Sequence, residues 1–194
     1  PALFGEIRQP TGRYLAVPEV SSENRPFIPI GFLPAAVIAT NKLYTIQGAG
    51  ELEFGLLCST MHMGWTRSVS GRLKSDFQYS AGIVYNNFPW PEAPTEKQAE
   101  AIEEGARGVL SAREAFPDST LADLYDQLTM PPVLVKAHAR LDKAVDAAYG
   151  YKGKPTDAER VAFLFELYQK YTSLFPAQAK KAKRRGPAAS GKGD

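Results

Sequence analysis

Three prolines fall within six residues in Phe88-Pro89-Trp90-Pro91-Glu92-Ala93-Pro94, and none can donate a backbone hydrogen bond or leave its fixed φ. No helix or strand can run through such a segment, so the elements on either side of it are separate. Upstream, Arg13 to Val20, Phe27 to Leu33 and Leu43 to Ile46 are rich in aromatic and β-branched residues, and Gly48-Ala49-Gly50 marks a turn. Pro18, Pro29 and Pro34, in or beside these runs, point to edges, bulges and an irregular sheet. One helix interrupts the strands: Phe54, Leu57, Cys58, Met61, Trp65 and Val69 recur at three- and four-residue spacings and share a face.

Downstream the period is helical. Thr95 with Gln98 makes a capping-box pattern, and Ile102, Ala106, Val109, Leu110 and Arg113 carry that helix to a stop at Phe116-Pro117-Asp118. A short turn follows at Leu121 to Tyr125. A helix opening at Pro131-Pro132 buries Leu134, His138, Leu141, Val145 and Ala148 and ends at Gly150. The last begins at Thr156 or Asp157 and runs through Val161, Leu164, Phe165, Tyr168 and Tyr171 toward Phe175-Pro176. The expectation is an α+β fold: an irregular, mostly antiparallel β domain with an inserted helix over residues 1–90, a small helical bundle over 91–176, and a disordered basic tail over 177–194.

Composition narrows the function classes. The 194 residues are 44% hydrophobic, enough for a real core, yet contain no apolar run long enough to span a bilayer and no signal-peptide layout at the start. The chain is expected to be cytoplasmic, without a membrane partner, and, lacking an initiator Met, to be a piece of a longer protein. A single cysteine, Cys58, rules out an intramolecular disulfide and a cysteine-rich zinc site, and no metal site is expected. His62 reads as a hydrogen-bonded packing residue and Cys58 as a small buried apolar group. Neither His62 nor His138 has a Ser, Cys or carboxylate at a spacing that suggests a triad, so no catalytic residue is assigned. The net charge of +2 includes a basic tail, Lys180, Lys181, Lys183, Arg184, Arg185 and Lys192 against Asp194; without its +5 the body stands at −3. Any nucleic-acid binding must come from local charges on a folded surface.

The most informative segment is Gly71 to Ser80, whose residues alternate as in a half-buried strand. Leu73, Ser75, Phe77 and Tyr79 are expected on one face, and Arg72, Lys74, Asp76 and Gln78 on the other. That second row holds groups that match base edges in the major groove: Lys donates to guanine, Asp accepts from the cytosine amine, and Gln pairs with adenine. A solvated strand shows the same alternation, and Lys74 with Asp76 could equally form a surface ion pair worth under about 1 kcal/mol. Asp76 favours base reading, since a carboxylate facing phosphates is repelled unless a base amine or a cation satisfies it.

Several strings resemble one family. Val20-Ser21-Ser22-Glu23-Asn24-Arg25, Ile28-Pro29-Ile30-Gly31-Phe32, Ser59-Thr60-Met61-His62-Met63, Gly71-Arg72-Leu73-Lys74-Ser75-Asp76 and Val84-Tyr85-Asn86-Asn87-Phe88-Pro89-Trp90-Pro91 resemble the target-recognition domain of MmeI-like methyltransferases. Leu124-Tyr125-Asp126, Met130-Pro131-Pro132, Leu141-Asp142-Lys143-Ala144-Val145-Asp146 and Ala148-Tyr149-Gly150-Tyr151 resemble that family's C-terminal helical domain. The resemblance implies a parent that is an adenine-specific DNA methyltransferase using S-adenosylmethionine, often fused to a nuclease. It assigns base choice to Lys74, Asp76 and Gln78, with Arg72 and Arg25 as candidates for the DNA backbone. The implied partners are double-stranded DNA and the catalytic domain of the same parent chain. The catalytic Asn/Asp-Pro-Pro-Tyr/Phe loop and the Gly-rich cofactor turn are missing here, and Asn86-Asn87-Phe88-Pro89-Trp90 has the wrong order to replace the former. No cofactor-binding residue is therefore assigned. The rival reading is a protein-interaction domain that docks a partner through its helical bundle.

Overall fold

A computed structural model of the chain describes residues 9–173. Strand β1 (Tyr14–Pro18) is the middle of a three-stranded antiparallel sheet, flanked by β3 (Gly31–Leu33) and β4 (Leu43–Gln47). Both faces of β1 are covered, and Tyr14, Leu15 and Val17 are wholly buried. Because β3 and β4 both run antiparallel to β1 on opposite sides, residues 34–42 must cross the sheet, and Tyr14 Oη pins that crossing by donating to the Val37 carbonyl at 2.7 Å. Of the expected strand Phe27 to Leu33 only β3 pairs; Phe27, Ile28 and Ile30 instead plug the core from a loop, since Pro29 cannot join a ladder.

Pro18 closes the central strand rather than marking an edge, and beyond it the chain changes sheets. The Glu19 N–H donates to the Lys42 carbonyl (2.9 Å) in the first sheet, while its carbonyl accepts from Tyr79 N (2.7 Å) beside the second. There β2 (Val20–Ser21) pairs with β6 (Asp76–Gln78), and β6 with β5 (Gly71–Leu73), all antiparallel.

The single inserted helix expected from periodicity is in fact two, α1 (Glu51–Leu57) and α2 (Thr60–Val69). Ser59 breaks it: its hydroxyl donates to the Leu56 carbonyl (2.7 Å) and accepts from His62 N (3.2 Å), so one side chain both ends α1 and caps α2. The next free N–H, that of Thr60, donates to Asp142 Oδ1 at 2.7 Å. Burial raises the Asp142 carboxyl to about 6 despite this donor.

Beyond a single π-helical turn (Ala81–Tyr85) and the proline segment come α3 (Glu96–Glu114), α4 (Leu121–Leu124), α5 (Pro132–Tyr149) and α6 (Asp157–Ser173). The Thr95–Gln98 capping box forms as the sequence predicts, and α5 ends at Gly150 with φ +64°. These helices do not bundle alone. Helix α3 packs on both α5 and α1, and α6 packs on α2, so one hydrophobic core runs through both halves of this α+β fold. The approach is close: a Cβ on Gly105 would lie 3.0 Å from Leu141 Cα, and one on Gly55 would lie 2.7 Å from Ile102 Cγ2.

Polar clips reinforce the joint. Buried Arg113 of α3 donates through Nη1 to the Ile30 carbonyl (2.7 Å) and through Nη2 to Tyr125 Oη (2.6 Å). The Tyr149 and Tyr171 hydroxyls donate to the Pro89 and Trp90 carbonyls, both at 2.9 Å, and hold the proline segment against α5 and α6. No described helix is long and apolar enough to cross a membrane. The run expected to reach Phe175-Pro176 and the basic tail over 177–194 extend beyond the described residues.

Candidate nucleic-acid interface

The segment read as one strand, Gly71 to Ser80, is a tight hairpin. Strands β5 and β6 are joined by Lys74-Ser75 alone, with Leu73 opposite Asp76, Arg72 opposite Phe77 and Gly71 opposite Gln78. A two-residue turn carries no Asn-Gly or Asp-Gly signal here, and Lys74 takes φ +58° in the left-handed region that side chains rarely adopt, which is why the pattern concealed it.

The turn changes which residues share a face. Directly opposed residues in an antiparallel pair project to the same side, so the even-and-odd alternation swaps when the chain turns back. Arg72 joins Phe77 on one side, where it stays exposed and covers the buried Phe77; Leu73, Asp76 and Gln78 form the other side together with Gly71. The expected row of Arg72, Lys74, Asp76 and Gln78 is thus corrected at its first member, and the expected inward Leu73 points outward, 52% exposed. Phe77 and Tyr79 are buried as anticipated.

Arg72 braces the hairpin. Its guanidinium carbon lies 4.1 Å from the centre of the Phe77 ring, and Nη1 donates to the Ser75 carbonyl at 2.9 Å, across the turn. Lys74 occupies the turn itself and is exposed, as is Gln78, while Asp76 is half-buried. No ion pair joins Lys74 to Asp76 among the described residues, so the surface-pair alternative does not form. Arg25 is partly buried in the turn after β2, where its N–H donates to the Ser22 carbonyl at 3.2 Å. No hydrogen bond connects it to the hairpin among the described residues.

Sequence reasoning missed the neighbours of this surface. Val20 pairs with Gln78, and the adjacent Glu19 holds Lys42 by an ion pair of 3.0 Å. Twenty-three positions separate Glu19 from Lys42, and only the sheet crossing of residues 34–42 brings them together, so no local spacing could have revealed the pair.

The groups with chemical potential are sealed in the core. His62 Nε2 lies 3.0 Å from Tyr79 Oη and the ring meets Phe88 edge-on; burial pushes its pKa down to about 3. His138 Nε2 lies 2.7 Å from Tyr125 Oη with the ring stacked on Phe27, and burial, aided by the Arg113 charge, likewise brings it to about 3. Burial pushes the Cys58 thiol up to about 11. Neutral, enclosed imidazoles and an un-ionised thiol cannot meet a substrate. Among the described residues no cluster of His, Cys, Asp or Glu is placed to hold a metal ion. Asn87, in the string that imitates a catalytic loop, spends its amide on the Gly82 (2.8 Å) and Ile83 (3.1 Å) carbonyls, bracing the π-helical turn.

A polar hairpin thus stands outward on a shared core that encloses both histidines and the cysteine. Comparison with known proteins identifies the family. Residues 1–92 match the family described as "MmeI, target recognition domain" and residues 94–175 that described as "MmeI, C-terminal domain". The chain is 44% identical over 172 residues to DNA methyltransferase A of Bacillus subtilis (strain 168), covering 89% of this chain and 19% of that protein. It superimposes with a TM-score of 0.84 and 57% identity on the type IIL restriction-modification enzyme MmeI solved in complex with DNA, over 86% of this chain and 22% of that one. The chain belongs to the MmeI family, as its target recognition and C-terminal domains, and spans about a fifth of the length of either relative.

Proposed function

We propose that this chain reads the target sequence for an S-adenosylmethionine-dependent, adenine-specific DNA methyltransferase of restriction-modification type. The cofactor and the catalytic loop belong to a separate domain of the same parent. The observation that carries this is the outward face of the β5–β6 hairpin in a chain whose family is that of DNA-recognition domains. A two-stranded ribbon fits the major groove, and Lys74, Asp76 and Gln78 offer donor, acceptor and amide to base edges there. Lys74 with Asp76 suits one G·C pair. Arg25, and those N–H groups of Arg72 not given to Ser75, are assigned to phosphates, which position the duplex without reading it.

The test uses the full-length protein that carries this chain, with its methylated motif mapped on genomic DNA. Lys74→Ala and Asp76→Ala are expected to relax the motif at one base pair, a loss of about 1–3 kcal/mol in discrimination. An unchanged motif refutes the assignment, and a uniform loss at all sites makes these residues phosphate or folding contacts. DNA affinity should also fall steeply with salt. Affinity indifferent to salt would favour the rival reading, a helical bundle that docks a protein.

A further inference from the structure

We propose that Leu73 is a specificity-determining residue whose side chain packs on the C5 edge of a pyrimidine next to the base that Asp76 reads. This rests on the base-reading role of Asp76. Single exposed leucines are ordinary on protein surfaces and need no explanation. What sets Leu73 apart is its register: it stands directly opposite Asp76 on the outer face of the hairpin, 52% exposed, with Gly71 and Gln78 as the next pair on the same side.

Opposed residues of an antiparallel pair hold their Cβ atoms about 4.5–5.5 Å apart. Stacked bases repeat every 3.4 Å or so along a strand, roughly the same scale. A hairpin that brings the Asp76 carboxylate within hydrogen-bonding distance of a base therefore brings Leu73 against the same or the adjoining step. Gly71 adds no side chain to hold that end of the face away from the bases. The major groove offers an aliphatic side chain one apolar partner, the thymine methyl or the C5–H of cytosine in the same place. Arg72, which the one-strand reading put beside Asp76, lies on the other face with its guanidinium over Phe77.

The experiment measures initial methylation rates of the full-length protein on duplexes carrying its mapped motif, with each thymine replaced in turn by uracil and each cytosine by 5-methylcytosine. One methyl group in apolar contact is worth about a fourfold change in kcat/KM. One position is expected to respond in the wild type and in Leu73→Met, which keeps the bulk, and not in Leu73→Ala. Leu73→Ala should fold normally, because so exposed a side chain adds little to the core. Equal responses in wild type and Leu73→Ala at every position overturn the proposal. If Asp76→Ala leaves the motif unchanged, the base-reading role fails and Leu73 with it; if Asp76→Ala shifts the motif while Leu73→Ala keeps every response, only the inference about Leu73 fails.

Discussion

Acidification from about pH 7 to about pH 5 should destabilise this fold through His62 and His138, and the size of the effect can be worked from their burial. Each imidazole has an ordinary pKa of 6.5 and is held near 3 in the fold. Below the unfolded value the unfolded chain takes up a proton that the native state refuses, so stability falls with pH until the folded pKa is reached. At about pH 5 this amounts to about 2 kcal/mol per histidine, or about 4 kcal/mol for the pair. Asp142 works in the opposite direction. Its folded pKa of about 6 lies above the ordinary 3.8, so the native state takes up its proton first and gains about 1 kcal/mol over the same interval. The histidines win, leaving a net loss of about 3 kcal/mol, a large part of the stability of a typical domain. The carboxyls of Glu51, lowered by Arg13, and Asp123, lowered by its bonds to Thr120, act in the same direction as the histidines, since a carboxylate favoured by the fold loses that stabilisation as pH falls. Urea unfolding followed by circular dichroism across the interval measures the slope. His62→Gln, which keeps a hydrogen-bonding amide toward Tyr79 without titrating, should roughly halve the histidine contribution. A free energy that is flat or rising as pH falls, or a slope unchanged in the His62→Gln, His138→Gln double variant, would refute the reasoning.

Helix α3 supplies a matched pair of glycine tests. Gly105→Ala sets a Cβ 3.0 Å from the Leu141 backbone, so α3 and α5 must separate, at a cost of about 1–3 kcal/mol that exceeds the helix-propensity gain. Gly108→Ala meets nothing within 4 Å and should stabilise by about 0.5–1 kcal/mol; urea midpoints that move in the same direction for both would contradict this packing. Arg72→Ala uncovers Phe77 and releases the Ser75 carbonyl, so it should slow methylation at all sites alike and leave the motif unchanged in sequencing of modified DNA. A shifted motif would instead make Arg72 a base reader.

Much of the architecture was legible because its signals are local. The prolines from Pro89 to Pro94, the Thr95–Gln98 box and Gly150 after α5 each act within a few residues, and each does in the structure what its chemistry requires. The errors came where parity or distance mattered. Hydrophobic spacing continued smoothly across Cys58-Ser59, so periodicity could not see that Ser59 would cap a new helix with help from Asp142, eighty-two positions from Thr60. The hairpin turn was hidden because Lys74-Ser75 lacks the usual turn residues, and a two-residue turn leaves the alternation of polar and apolar residues intact on paper while exchanging the faces in space. The candidate readers Asp76 and Gln78 survived that error because both lie on β6; Arg72 and Leu73, on β5, changed sides.

The same geometry separates what can vary from what cannot. Lys74 is exposed in the turn, and on the side of the hairpin away from Phe77 Leu73 and Gln78 are exposed and Asp76 half-buried; surface changes of this kind usually alter stability by under about 0.5 kcal/mol. The body beneath is not divisible in this way. Exchanging residues 1–92 as a block would replace α1 and α2 where they meet α3 and α6, the Ile30 carbonyl that accepts from Arg113, and the Thr60 N–H that Asp142 caps. A misfit at any of these joints strands a polar group or opens the core, effects that reach several kcal/mol. Under the proposed base-reading role, a change of target sequence is therefore carried most economically by side chains on the outer face of the hairpin, with the two matched regions kept together as one packed body.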